Sequence, residues 1–450
     1  MGRADPELLD VAARIAEMAG PGEQVEAFVA RSTSTSVKAY GGEVESLTQA
    51  SSAGVGVRVI VDHREGFAYA GTLDDGVVLD ALAEARDNAS FGEPDEFNGL
   101  ATPDGVAPAD LDLWPEHLAD VPTADKVAMA LELEAATTKR DPRVTGVRVA
   151  LFSDSLGEGA VATSTGIRAW GRAGTSYLMV QALARQGDET QIAGGLSVGR
   201  EVTDLSIDEA ADDAVLRATR LLGSTKPTTQ RLTLVLEPRM TATILGLVGG
   251  MLNGEAVLKG RSPFADRVGE QVASPLLTFV DDPTDPRSLG AEAHDGEGLA
   301  CRRNELVVDG VLQGFLHNTY TGRRSGTAST GSARRGVSST PGVGAGALAV
   351  TPGTGTHEEV LASVDHGLFV TSMAGLHSGV NPVSGDFSVG VEGLMVDGGA
   401  LAAPVREATI ASTLQRLLLD ISAVGADLEW LPDGTGGVTL VIPDVALSGA

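Results

Sequence analysis

Between Pro6 and Gly20 the apolar residues Leu8, Leu9, Ala12, Ile15 and Met18 recur every three or four positions, the spacing of an amphipathic helix. From residue 24 to 72 the period shortens to two. QVEAFVARS, TSVKAYGGEVESLTQA and VGVRVIVDHREGFAYAG are broken by turn formers at Gly41-Gly42 and over His63 to Gly66, which predicts an antiparallel meander. A second helix is expected over residues 73–90, with Val77, Leu79, Leu82, Ala83 and Ala85 as its buried stripe.

The same order then returns: a helical pattern over 123–139, strands over 144–198 with turns expected at Gly157, Gly166, Gly174 and Gly187, and a helix over 207–222. This points to an internal duplication joined by the loop 91–122, and one large sheet with helices on one face is the economical architecture. Past Lys226-Pro227 the pattern turns to short strands and Gly-rich loops, with helices expected over 240–252, 356–363 and 410–424. The fold class expected is therefore α+β: a duplicated helix/antiparallel-meander/helix N-terminal domain, residues 1–225, followed by a β-rich C-terminal domain, residues 226–450. The Gly/Ser/Thr-rich run 321–346 reads as a long mobile or partner-ordered loop.

Composition narrows the function classes. With 33 Lys+Arg against 61 Asp+Glu the 450-residue chain carries a formal charge of −28, which argues against nucleic acid or an anionic membrane as a partner. The lone cysteine, Cys301, excludes an internal disulfide framework, and a reducing cytoplasm fits best. The N-terminal stretch lacks the pattern of a secretory signal, and no run approaches 18 uninterrupted apolar residues.

A zinc-protease helix needs two imidazoles about one turn apart, and none of the 7 histidines are so spaced. His357-Glu358 begins such a pattern, but His366 falls on the opposite helical face. Thr356 and Glu359 instead have the spacing of a capping box. No G-x-S-x-G elbow and no phosphate-binding glycine motif occurs. Cys301, although followed by Arg302-Arg303, reads as inert filler. Arg323, Arg324, Arg334 and Arg335 form a basic island in the Gly/Ser/Thr run; they either line a solvated loop or grip carboxylates of a peptide or partner subunit. The densest polar constellation is GLHSGVNPVSGDFSVGVEGLMVDGG, in which His377, Asn381, Ser384, Asp386 and Ser388 could line a cleft. Asp386 could equally do no more than satisfy its own turn.

The tail NPVSGDFSVGVEGLMVDGGALAAPVREATIASTL resembles the C-terminal signature of the TldD/PmbA family, and NTYTGRRSGTASTGSARRG, GTGTHEEV and AYGGEVESLTQASSAGVGVRVIVDHREGFAYAG are similar to it elsewhere. The resemblance implies a cytoplasmic heterodimer in which a TldD-like partner is a zinc metallopeptidase acting on unfolded or short peptides. Some relatives serve natural-product or peptide-toxin maturation. The TldD branch carries H-E-x-x-x-H on the first helix of its C-terminal domain and a Cys ligand further on. The corresponding helix here reads RMTATILGLVGGMLNGEAVLKGRSPF without His, and MAGLHSGVN has no Cys. The resemblance thus places the chain in the PmbA (TldE) branch, with no cofactor of its own, zinc in the partner, and a peptide as substrate. The eight residues His377, Asn381, Ser384, Asp386, Arg323, Arg324, Arg334 and Arg335 are the candidates for substrate or partner contact. The opposing readings are an autonomous, metal-independent enzyme using the Asp386 loop, and a peptide- or protein-binding module.

Overall fold

A computed structural model describes residues 6–449. Strands β1 (Glu23–Tyr40), β2 (Glu43–Val61) and β3 (Arg64–Ala70) form the expected meander. Its two hairpin loops are Gly41-Gly42 and Asp62-His63, all four at positive φ as a tight two-residue connection requires. Strands β4 (Val144–Thr163), β5 (Arg168–Gln186) and β6 (Glu189–Gly199) repeat it. The two meanders meet through their first strands, β1 antiparallel to β4, giving one six-stranded sheet of order β3-β2-β1-β4-β5-β6.

Helices α1 (Pro6–Ala16) and α2 (Asp75–Phe91) cover one end of a single face, packing Leu8, Ala12, Ile15, Val78 and Leu82 on Val25, Ala27, Val29 and Val57. Helices α3 (Thr123–Arg140) and α4 (Ile207–Arg220) cover the other end, over Val37, Ala39, Phe152 and Val180. The duplication and the one-sided helical layer are thus as the periodicities indicate. Between the helix pairs a cleft of about 400 Å³ opens onto Thr33, Ser51 and Leu156, walled by Trp114 of the connecting loop.

Several expectations need correction. In α2 the buried stripe is Val78, Ala81, Leu82, Ala85 and Ala89, while Val77 and Leu79 are 44% and 46% exposed and Ala83 faces solvent. Close approach to β3 sets this phase: a Cβ on Gly66 would lie 2.1 Å from the Ala85 carbonyl oxygen, so Ala85 and Ala89 must face the strand. Gly157 and Gly174 lie inside β4 and β5 and make no turns. At Gly174 the missing side chain admits the connecting loop, whose Pro115 would sit 2.4 Å from a Cβ there. The helix expected over 410–424 is shorter: the span opens in the strand Ala400–Thr413, is helical over Leu414–Leu419, and ends in the short strand Ala423–Val424.

In the C-terminal half, β7 (Gln230–Leu236) lies between His366–Ala374, parallel to it, and the antiparallel Leu440–Ser448. Asp386–Asp397 and Ala400–Thr413 extend the sheet, and pairing of Ala400–Thr413 with Leu440–Ser448 closes a five-stranded ring. Helix α5 (Pro238–Met251) follows β7, and its Ile244, Leu245 and Val248 enter the main C-terminal core with Leu234, Leu368, Phe387 and Ile442. A second sheet of short strands, including Phe279–Asp281 and Leu348–Val350, borders the same core.

The run 321–346 is held by the rest of the chain and is no loose loop. It starts in the helical turn Thr319–Arg324, pairs Ala333–Arg334 with Gly342–Val343, and buries Thr321, Ser332 and Ala333 completely or nearly so.

Candidate functional site

The polar turn before Asp386–Asp397 is built from local bonds. Asn381 Oδ1 accepts the N–H groups of Val383 and Ser384 at 2.9 and 3.3 Å, and Ser384 Oγ donates to Asp386 Oδ2 at 2.6 Å. Gln415 Nε2 donates to the Ser384 carbonyl at 2.8 Å. The Asp386 carboxylate thus accepts a side-chain hydroxyl within its own turn, and it is Asn381 that accepts the turn's N–H groups. His377 sits on the short helix Leu376–Gly379, and His377, Asn381, Ser384 and Asp386 all face solvent.

The four arginines do not join them. Arg323 donates to the carbonyls of Gly99 and Leu100 at 2.7 Å each, fastening the loop that connects the two meanders. Arg324 Nη1 donates to Tyr320 Oη at 2.7 Å, and the Tyr320 hydroxyl donates to Asp95 at 2.8 Å. Arg334 pairs with Glu292, and Arg335 with Glu26. Arg335 is fully buried, and its guanidinium lies over the Phe28 ring, 5.1 Å from the centroid. The solvated-loop reading therefore fails for Arg334 and Arg335. They do grip carboxylates, but those carboxylates belong to their own chain.

Arg335 leads into a charged network that periodicity does not reveal. Glu26 and Arg58 stand opposite each other in the β1–β2 register, on the sheet face away from the helices. Arg58 holds Glu26 through two bonds of 3.1 and 3.0 Å, and Glu297 of the C-terminal half lies 3.7 Å from Arg58. Glu297 also accepts the N–H and hydroxyl of Thr319 at 2.9 and 2.7 Å. Burial works to raise the Glu26 carboxyl, yet Arg58 and Arg335 hold it below the usual carboxylate range. Glu297, equally buried but farther from a cation, is pushed up. Burial, with Glu297 nearby, pushes Asp295 up to about 7. These groups join the two halves.

Helix α5 is the element on which the resemblance locates metal ligands in the TldD branch. Its Gly246, Gly249 and Gly250, with Asn253, Val343–Gly346 and Asp433–Thr435, line a cleft of about 240 Å³. Leu348 packs so near that a Cβ on Gly249 would lie 2.5 Å from it. Asn253 spends its amide on the Val343 carbonyl at 2.6 Å, and Asp433 Oδ1 accepts the Thr435 N–H at 3.0 Å. With one carboxylate and no imidazole or thiolate on this lining, the residues do not fit a zinc centre. His317 is buried against Gly254 and bonds Thr321 Oγ1 at 3.2 Å. His357 opens its helix beside the capping box formed by Thr356 and Glu359, as the spacing indicates. Cys301 is buried, and burial raises its thiol pKa and so disfavours the thiolate.

A duplicated sheet with helices on one face, locked to a closed β ring that carries α5, defines a class of α+β protein found in solved structures. A Thermotoga maritima protein described as a modulator of a DNA gyrase superposes with a TM-score of 0.90 at 23% identity, covering 98% of this chain and 100% of that one. TldE from Thermococcus kodakarensis gives 0.87 at 23% identity, covering 95% and 97%. The sequence sharpens this. The PmbA/TldA metallopeptidase domain 1, central domain and C-terminal domain match residues 25–89, 116–222 and 229–449 in turn, and the chain belongs to the PmbA/TldD metallopeptidase family. The metalloprotease PmbA of Escherichia coli O157:H7 is 27% identical over 433 residues, 96% of this chain and 93% of that protein. A TldD homologue from Haemophilus influenzae is 26% identical over 423 residues, 88% and 86% of the two chains.

Proposed function

We propose that this chain is the non-metal-binding subunit of a heterodimeric zinc metallopeptidase, and that with a TldD-like partner it forms the channel that admits unfolded or short peptides in the cytoplasm. Overall identity does not separate the branches, since the PmbA and TldD relatives stand at 27% and 26%. The observation that carries the reading is local: α5 presents glycines and aliphatic side chains where a metallopeptidase helix needs imidazoles and a general base. On this reading zinc resides in the partner. The exposed His377, Asn381, Ser384 and Asp386 then serve peptide capture or assembly; Arg323, Arg324 and Arg335 support them by holding the two halves in register, and Arg334 by fixing its own loop to Glu292 within the C-terminal half.

Metal analysis and peptide hydrolysis test this together. The purified chain should hold no stoichiometric zinc after dialysis and should hydrolyse peptides only when mixed with a subunit bearing H-E-x-x-x-H. About one zinc per chain, or chelator-resistant hydrolysis by the chain alone at the rate of the mixture, would replace this reading with an autonomous enzyme.

A further inference from the structure

The cleft between the two helix pairs has an unanswered cation at one end. Along β1, β4 and β5 the register sets Arg31, Glu158 and Arg172 in one cross-strand row, on the sheet face that carries the helices. Glu158 accepts from Arg31 Nε and Nη2 at 3.2 and 2.9 Å, and Arg31 Nη1 reaches Glu7 at 3.4 Å, so the one carboxylate of the row is spent on Arg31. Arg172 is left over. Among the described residues its guanidinium meets no carboxylate and no hydrogen-bond acceptor; it lies over two indoles, 4.7 Å from the Trp114 centroid and 5.8 Å from that of Trp170. In a chain with 61 acidic against 33 basic residues, a half-buried guanidinium stacked on aromatics and lacking an acid is set up for a carboxylate from outside.

The neighbouring row, Ser51, Thr33 and Leu156, is the floor of the cleft. Neither the Ser51 nor the Thr33 hydroxyl bonds another described group, while Leu156 and the Trp114 wall offer apolar surface. That wall is fixed in advance: the Leu113 carbonyl accepts the Gly174 N–H at 3.1 Å, and Pro115 seats in the space that a Gly174 side chain would fill. A preformed cleft of about 400 Å³ is of the size that small ligands fill. Its complement carries a carboxylate for Arg172, a flat apolar group for Trp114, and amide groups for the two hydroxyls. The last residue of a peptide has all three, and the cleft is open to solvent, so the rest of the peptide can leave it. We propose that this cleft binds the C-terminal residue of a peptide ending in an aromatic side chain, with its carboxylate on Arg172 and its ring against Trp114. The proposal rests on the reading that peptides are what this chain handles, and it adds a capture point on the N-terminal sheet, apart from the turn at Asn381 to Asp386.

Calorimetric titration of the full chain tests it. Acetyl-Gly-Phe with a free carboxylate should bind with a dissociation constant on the order of 0.1–1 mM, and its C-terminal amide about tenfold more weakly. Arg172→Gln should weaken the acid about tenfold and leave the amide unchanged, a thermal unfolding curve confirming that the variant is folded. Trp114→Ala should weaken acid and amide alike. 3-Phenylpropionate, which has the ring and the carboxylate without the amides, should bind at least about threefold more weakly than the peptide. No heat from the acid up to about 10 mM, an amide as tight as the acid, or a folded Arg172→Gln chain that binds the acid like wild type each overturns the site. Equal binding of 3-phenylpropionate would overturn the peptide and give the cleft to a free aromatic acid. These titrations need neither zinc nor turnover, so a failure here is distinct from a failure of the subunit reading, which hydrolysis by the mixture decides.

Discussion

The network of Glu26, Arg58, Glu297 and Arg335 and the turn from Asn381 to Asp386 are both dense in polar groups, and they differ in where the bonds go. The turn's side chains bond within six residues and to the neighbouring Gln415, and they stand in water. The network reaches across the chain, from β1 and β2 to Glu297 and Arg335, with Glu26 and Arg335 fully buried. Buried charges are costly unless each finds its partner, so removing one member should hurt far more than removing any member of the turn. The comparison teaches that local polar density in a sequence does not distinguish a joint from a surface. The sequence separation of the partners does.

The largest effect should follow from Glu26→Ala. It leaves Arg58 and Arg335 buried without their shared carboxylate and should lower unfolding free energy by about 3–5 kcal/mol in urea titration. A loss below about 1 kcal/mol would show that the network does not hold the halves together. The pH sign follows from the direction of the shift. Because the cations keep Glu26 below the usual range, its contribution is complete above the unfolded value of about 4.3 and is lost as pH falls through the lower folded value. Wild type should therefore lose more stability than Glu26→Ala on acidification below about pH 4.

Much of the fold was legible because helices and strands declare their period. The meander, the duplication, α1, α3, α4 and α5 all follow from which face each element buries. Where the reading failed, a second layer intervened. Glu26 and Arg58 fall on the polar phase of alternating strands, which normally faces solvent, yet the C-terminal half covers that face with Leu299 against Phe28, Val161 and Ile167. The Gly/Ser/Thr run 321–346 has only Val337 and Val343 as larger apolar residues, too few to show a period, so hydrophobicity could not show that ion pairs and backbone bonds fix it. A charged residue in mid-strand within an otherwise apolar alternation was the one available signal for the network.

A smaller effect belongs to the turn. Asn381→Ala removes two local bonds to backbone N–H groups and should lower stability by about 0.5–1 kcal/mol. Asp386→Ala should change it by less than about 0.5 kcal/mol, as for other surface positions. Under the proposed function both variants should weaken assembly or peptide capture by the mixed enzyme while leaving its zinc content intact. If either unfolds the chain as readily as Glu26→Ala, the contrast between joint and surface collapses.

A modest effect, read best as a shifted midpoint, lies at a site intermediate between these two. His357 is partly exposed, bonds Thr439 Oγ1 through Nδ1 at 2.9 Å, stands 3.7 Å from Asp427, and meets the Phe369 ring edge-on with centroids 5.5 Å apart. The Asp427 carboxylate beside it raises its pKa, against the opposing pull of partial burial. A raised histidine contributes stability that is fully present below the unfolded value of about 6.5 and is lost as pH rises through the folded value. Asp427→Asn removes the negative charge but keeps a side chain able to accept from Thr439, so the His357 midpoint followed by NMR should fall towards about 6.5. Exposure to solvent limits the accompanying stability loss at pH 6 to less than about 1 kcal/mol. An unchanged midpoint would show that Thr439 and Phe369 alone set the imidazole's environment, and the ion pair across residues 357 and 427 would then count with the self-contained turn and not with the buried joint.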